Sequence, residues 1–290
     1  MKRKVFKYVS EILAILLVIF YMSPLFLVII NSAKTKLEVT QSPLELPTDW
    51  GVIIDHIKQI VLDPRNNYVS AFISSVIIVL ASVGLTVFLG TMCAWMITRK
   101  KGKLSTFIYY MFIAAIIIPF QVIMFPLVSW FRTLGQEITR PLFGFAMLRS
   151  YPGIILCYIG FGMSMAVFLF SGFIKGIPYE IEEAAEIDGC TKFQTFIHII
   201  FPMLKPIITT QVILQGIGIW NDYMLPLLIL GKDNEIQTLP LILRNLMTRY
   251  QVDWGLMLTS TLLMMIPIVI VFLIFQKQII KGMTEGAIKS

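Results

Sequence analysis

The chain has 290 residues, of which 57% are hydrophobic and only 14% charged, and a mean hydropathy of +0.81. That composition excludes a soluble globular domain. Several apolar runs exceed the about 18 residues that cross a bilayer, so the fold class is an all-α polytopic membrane protein. The formal net charge of +7 sits in short segments beside those runs and is not the footprint of a nucleic-acid binder.

In chain order, Lys2, Arg3, Lys4 and Lys7 precede an apolar run at 12–30. The run is long, contains Pro24 and is not followed by a small-residue cleavage site, so a first span is expected rather than a signal peptide. Residues 31–67 are polar and carry Pro43, Pro47 and Pro64; they are expected to form an external loop with a short surface helix. His56 falls in that loop and is expected to have no chemical role. Residues 68–98 carry no charge and make a second span. Arg99, Lys100, Lys101 and Lys103 close it without an intervening acid, which is the clearest cytoplasmic mark in the chain.

A third span over 104–131 is interrupted by Pro119 and Pro126, and 135–150 forms a short external loop. The fourth span covers 151–174, the fifth 207–230 with a break at Asn221-Asp222, and the sixth 254–276; a basic tail follows at 277–290. With both termini inside, fourteen Lys and Arg lie on the cytoplasmic side and ten outside. Six spans satisfy the charge rule. Trp50, Trp95, Trp130 and Trp254 stand near span ends and are expected to be interfacial anchors. Cys93, Cys157 and Cys190 are isolated from one another and are expected to be unpaired packing thiols.

Residues 177–206 stand out as mixed charge between two apolar runs. Pro178 suits the first turn of a helix, and Glu180, Glu182 and Glu183 fall where negative charge complements the helix dipole. Gly189 is placed as a left-handed C-cap. Thr191 with Gln194 makes a capping box that opens a second helix. Phe193, Phe196, Ile197, Ile200 and Phe201 form one apolar stripe, and Pro202 and Pro206 are expected to end it. Two short helices joined by a sharp glycine turn have the shape of a plug for a groove in another protein.

Here a resemblance becomes specific. Glu183-Ala184-Ala185, Gly189 after three intervening residues, Ile199 after nine more and the closing Pro202 resemble the EAA loop of ABC-importer permeases. Phe201 and Cys190 stand where that family usually has Leu and Ala. The ending around Lys281-Gly282-Met283-Thr284-Glu285-Gly286 resembles the carbohydrate-uptake, maltose-type branch, in particular its smaller permease subunit. Asn31-Ser32 after the first span and Trp220-Asn221-Asp222-Tyr223 with Pro226-Leu227 in the fifth agree with it.

The resemblance implies the type I importer permease fold in a single domain over 1–290, with core helices about 68–280 and a cytoplasmic coupling loop at 176–206. It assigns Glu183, Ala184, Ala185, Asp188, Gly189 and Pro202 to docking on an ATPase. The partners it implies are a second homologous permease, two ATPase subunits and an external solute-binding protein that delivers a sugar. The tail is expected to reach toward the ATPase pair. No G-x-x-x-x-G-K-[ST] run exists to cradle phosphates, and no catalytic or metal-ligating set presents itself. The chain is therefore expected to be a transporter subunit rather than an enzyme, without a cofactor of its own, with ATP bound by its partners.

At about 100° per residue, Gln211, Gln215, Gly218 and Asp222 fall within roughly 60° of one another on the fifth span, with Trp220 near the opposite side. Such a stripe faces the bundle interior or water, not lipid. Amides and a carboxylate suit sugar hydroxyls, so Gln211, Gln215, Asn221 and Asp222 are expected along the substrate path. The other reading is that they bond neighbouring helices or the partner permease. A permease for a non-sugar solute such as a polyamine stands as an alternative. So does an ATP-independent secondary transporter, whose coupling acids would lie inside the membrane, where only Asp222 qualifies.

Overall fold

The computed structural model describes residues 2–64, 67–231, 234–243 and 252–287, with side chains between Phe6 and Gln276. The helices are α1 (Lys2–Ser32), α2 (Lys36–Gln41), α3 (Val52–Leu62), α4 (Tyr68–Arg99), α5 (Lys103–Ile117), α6 (Phe120–Leu134), α7 (Arg140–Phe143), α8 (Tyr151–Ile174), α9 (Glu180–Ile187), α10 (Lys192–Thr195), α11 (Phe201–Met203), α12 (Lys205–Asn221), α13 (Met224–Ile229), α14 (Leu239–Ile242) and α15 (Trp254–Ala287). Single π-helical turns join α6 to α7 (Gly135–Thr139) and α10 to α11 (Phe196–Ile200).

Among the described residues four helices are continuous and apolar enough to cross a membrane, and the total reaches six if each of two bent pairs counts as one span. In the first pair, α5 and α6 meet at 108°. Ile118 is extended there and Pro119 is the N-cap of α6, because a residue before proline is pushed out of the α region. Pro126, expected to break the same span, lies inside α6 without interrupting it. The second pair, the α10–α11 segment and α12, meets at 73°. Pro202 and Pro206 do not end helices, as the sequence suggested. Each occupies the first turn of the next segment, and the chain turns at Leu204 between them. A proline at a first helical position gives up an N–H that has no partner anyway.

Read from sequence as one domain, the chain divides into two compact units. One comprises Met1–Val69 with Ile242–Val269, and the other Ser70–Leu241 with Ile270–Ser290. Residues 242–269, inside the expected core of 68–280, thus group with the N-terminal segment. The backbone of α15 stays helical to Ala287, beyond the expected end of the sixth span. The tail signature itself lies outside the described side chains, as do the basic residues Lys2, Arg3 and Lys4.

In the first unit a polar staple ties down the segment expected to be an external loop with a short surface helix. The Ser32 carbonyl accepts a 2.9 Å bond from Thr259 Oγ1 and lies 3.0 Å from His56 Nδ1. His56 is buried and structural, tying α1, α3 and α15 together. Lys34 is 1% exposed, yet Nζ donates to Asn31 Oδ1 at 3.1 Å and to the Ser42 carbonyl at 2.8 Å. Asn31 Nδ2 in turn donates to the Leu27 and Pro43 carbonyls. A buried ammonium is tolerated when its protons are matched by such acceptors. Thr35 and Glu38 form a capping box that starts α2 within this knot.

The second unit is built on α8. Helix α5 and helix α12 both pack on it, and α13 packs on α6 and α8. Its core joins Val83, Val87 and Ala94 of α4 to Ala166, Phe170 and Ile174 of α8 and to Phe196 and Ile200 of the π-helical turn. A Cβ on Gly90 would lie 2.9 Å from that of Ala166, so the two helices approach there through small residues. Gly172, the start of a G-x-x-x-G pattern, meets nothing within 4 Å and is not a packing contact.

Gly255 decides whether the first unit closes: a Cβ there would collide with the Lys34 carbonyl and the His56 ring. Gly255→Ala is expected to destabilise this unit by about 1–3 kcal/mol through overpacking. Thermal unfolding in detergent checks it, and an unchanged midpoint would contradict the geometry.

Candidate functional site

The loop after α8 begins with a backbone turn at Lys175–Ile177 and resumes as α9 two residues after Pro178, at Glu180. Helix α9 closes on a complete Schellman arrangement. Gly189 has φ +86°, its N–H bonds the Glu186 carbonyl, and the Cys190 N–H bonds the Ala185 carbonyl. Nothing lies within 4 Å of a Cβ at Gly189, so glycine is required there by backbone conformation and not by space. The capping box follows as expected: Gln194 N–H donates to Thr191 Oγ1 at 3.3 Å and Thr191 N–H to Gln194 Oε1 at 2.8 Å. Lys192 donates to Glu186 across the turn, and that bond raises the lysine pKa.

What holds these helices in place is a buried ion pair. Glu182, 3% exposed, accepts from Arg99 Nε at 2.6 Å through Oε1 and from Trp95 Nε1 at 3.0 Å through Oε2. Arg99 Nη2 donates to the Ile177 carbonyl at 2.9 Å, and its guanidinium sits 5.6 Å from the centre of the Tyr179 ring. The indole of Trp95 lies 5.4 Å from the ring of Phe196. The end of α4 therefore grips α9 through Glu182 and the second helix through Phe196.

Three sequence expectations change here. Glu182 is not a solvated dipole partner like Glu180 and Glu183 but one half of an internal clamp. Trp95 is a clamp donor and not an interfacial anchor. Phe193 is 59% exposed and leaves the expected stripe. Phe196, Ile200 and Leu204 carry the buried face instead, with the π-turn between them.

Of the expected coupling residues, Glu183, Ala184, Asp188 and Gly189 form an exposed crest, joined by Glu186 and by Ile187, which is 86% exposed. Ala185 is 4% exposed and faces inward, while Pro202 is exposed but on the far side of the π-turn. The signals missed in the sequence were Arg99 and Trp95, which sit four residues apart on one helix face.

The polar stripe of α12 faces the bundle. Gln211, 1% exposed, donates to Gln215 Oε1 at 3.1 Å; Gln215 Nε2 donates to Thr86 Oγ1 at 3.1 Å and to the Tyr158 carbonyl at 3.4 Å. A side chain at Gly162 would collide with the Gln215 amide, so that glycine makes room for the link between α4, α8 and α12. Tyr158 OH donates to Asp222 Oδ2 at 3.0 Å, and Asp222 Oδ1 accepts the Met224 N–H at 2.9 Å, capping α13 at the break in the fifth span. Gln211 faces the bundle interior, one of the two surroundings expected for the stripe, with Nε2 bonded to Gln215 and Oε1 left without a partner. Asn221 alone of the set is exposed, its Nδ2 donating to the Ile217 carbonyl at 3.0 Å. Trp220 is buried against Phe72.

The described residues thus form a helical membrane bundle with a break in the fifth span, and a clamped pair of helices leaves its acidic crest exposed. Residues 86–285 match the family described as binding-protein-dependent transport system inner membrane component, and the chain belongs to that family. It is 35% identical, over 98% of its length and 97% of the relative's, to the probable starch degradation products transport system permease protein AmyC of Thermoanaerobacterium thermosulfurigenes. It is 36% identical, over 92% of its length and 91% of the relative's, to the multiple sugar-binding transport system permease protein MsmG of Streptococcus mutans. Among solved structures, a chain of a bacterial ABC transporter involved in importing the acidic polysaccharide alginate superposes with a TM-score of 0.77 at 18% identity, covering 96% of this chain and 97% of that one. That likeness establishes the shared fold.

The clamp can be measured by a double-mutant cycle. Glu182→Ala and Arg99→Ala each leave a buried charge without its partner and should each cost about 3 kcal/mol. The double variant should lose clearly less than the sum, since the partners share one interaction. Additive losses in detergent unfolding would show that the two side chains do not act on each other.

Proposed function

We infer that the chain forms half of the transmembrane pathway of an ATP-driven sugar or oligosaccharide importer and receives its power stroke at the α9 crest. The observation that carries this is the crest itself: Glu183, Ala184, Glu186, Ile187 and Asp188 stand exposed on a helix whose opposite side is fixed by Glu182 and Ala185. An apolar residue ringed by carboxylates on a rigid support suits a groove with basic walls, and an ATPase subunit is the partner assigned to it. The sugar substrate is taken from the relatives, whose names specify starch degradation products and multiple sugars and which match nearly end to end.

In this reading the loop and both termini are cytoplasmic. A second permease completes the pathway, two ATPase subunits bind the ATP, and an external binding protein delivers the solute. A binding protein loaded with an alginate pentasaccharide is part of the structural neighbour's complex. Closure of the ATPase pair moves the crest, and the clamp to α4 transmits that movement into the membrane helices. The single-domain organisation belongs to this proposal as well.

In transporter reconstituted with its partners, Glu183→Lys and Gly189→Val should insert normally yet lower solute-stimulated transport by about tenfold, through charge reversal at the interface and a strained turn. Full transport and ATPase stimulation in both would refute docking at the crest. A polyamine instead of a saccharide on the co-purified binding protein would refute the sugar assignment.

The solute path gives a separate prediction from the burial on α12. Asn221→Cys should react with a water-soluble thiol reagent, with reactivity that changes when ATP is trapped, while Gln211→Cys and Trp220→Cys should stay unreactive. Equal labelling at the three positions would contradict the inward-facing stripe.

A further inference from the structure

Beside the clamp lies a second polar site. A cleft of about 300 Å³ opens between the α4–α5 turn and the end of α8, lined by Thr98, Lys100, Lys101, Thr106, Ser171 and Lys175 among others. Ser171 is 1% exposed, and its hydroxyl has no hydrogen-bond partner. The Thr98 hydroxyl is likewise shielded and unpartnered. Buried hydroxyls nearly always find a partner, so two orphans lining one cleft ask for a ligand.

The rest of the cleft states what charge that ligand carries. Lys100, Lys101 and Lys175 are exposed at its rim, and none is among the ion pairs of the described residues. Lys175 Nζ rests 5.2 Å from the centre of the Tyr109 ring, a contact that orients the ammonium without neutralising it. Helix α5 starts in the same place, and its N-cap, Gly102, has no side chain to satisfy the first-turn N–H groups. An open helix N-terminus with three free ammonium groups and two orphan hydroxyls is an oxyanion site.

The neighbouring stripe of α5 distinguishes among anions. Leu104, Phe107 and Met111 are 69%, 62% and 56% exposed, and they run from the cleft along the membrane-crossing helix. A free phosphate has no use for that surface, whereas acyl chains would cover it. We propose that this cleft binds the phosphate-bearing head of an anionic phospholipid of the inner leaflet, with its chains along α5. The proposal rests on the cytoplasmic assignment of this end of the bundle made above. Its consequence is a link to coupling. Arg99 lies between Thr98 and Lys100 and bonds the Ile177 carbonyl two residues beyond Lys175. A headgroup bridging the α4–α5 turn and the end of α8 therefore fixes both ends of the clamp that carries the crest.

The test uses the assembled transporter in vesicles of phosphatidylcholine alone or with phosphatidylglycerol at about one part in four, an anionic content sufficient to sense basic sites. Retained lipid is read by native mass spectrometry. Wild type should keep phosphatidylglycerol through delipidation, and the triple variant Lys100→Gln, Lys101→Gln, Lys175→Gln should retain it about tenfold less or weaker still. Ser171→Ala should lower retention with every charge in place, and a triple Lys→Arg variant should restore it, which separates loss of charge from loss of fold. Equal retention by wild type and the Gln variant would overturn the proposal. So would displacement of the lipid by millimolar inorganic phosphate, which would make this a free-anion site. Retention is measured without solute, so failure of the sugar assignment leaves this result standing, and the reverse also holds.

Discussion

The arrangement of the loop that carries α9 and α10 depends on one buried pair, Arg99 with Glu182. Two helices as short as α9 and α10 have no stability of their own, because nucleation costs more than so few backbone bonds return. They keep their shape because the carboxylate of Glu182 is held on both oxygens, by a guanidinium and by an indole, at the end of a membrane helix. The guanidinium also takes the carbonyl of Ile177, so the entry turn and the first helix are fixed by one side chain. A planar, multiply donating cation is needed for that geometry, and lysine could not supply it. The crest is stiff as a result, and a stiff crest can transmit a push.

A second constraint governs the membrane interior. Polar groups there must be satisfied by the protein itself. The chain meets most of this by linking Gln211 Nε2 to Gln215, Gln215 to Thr86 and the Tyr158 carbonyl, and Tyr158 to Asp222, while Gln211 Oε1 and Ser82 Oγ keep no partner. Asp222 also caps the helix that restarts after the break, so the interruption of the fifth span leaves few bare backbone groups. Gln211, Gln215 and Asp222 thus fasten neighbouring helices to one another, and Asn221 is the member of the set that is exposed.

The N-terminal unit solves a comparable problem with a lysine. Lys34 is closed in by carbonyl and amide oxygens, and its own carbonyl lies where Gly255 leaves room. Burial of this charge costs little only because its acceptors come from a turn that is itself held by Asn31. The cationic cleft beside Ser171 has the opposite character, with charges and hydroxyls left open.

Sequence by itself determined the local features. The positions of the four continuous spans, the left-handed Gly189, the Thr191–Gln194 capping box and the break at Asn221-Asp222 all follow from interactions within a few residues, which patterning and capping rules register. The family followed from spacing along the EAA loop and the tail. Tertiary structure decided the rest. Arg99 and Glu182 are 83 residues apart, and Gln215 and Thr86 are 129 apart. Nothing in either neighbourhood specifies which distant group completes its hydrogen bonds. Arg99 therefore looked like one more charge on the inner side, and Gln211 like a residue free to meet a sugar. Whether a polar side chain is spent or available is settled only when helices from distant parts of the chain pack, because its partner is supplied by that packing.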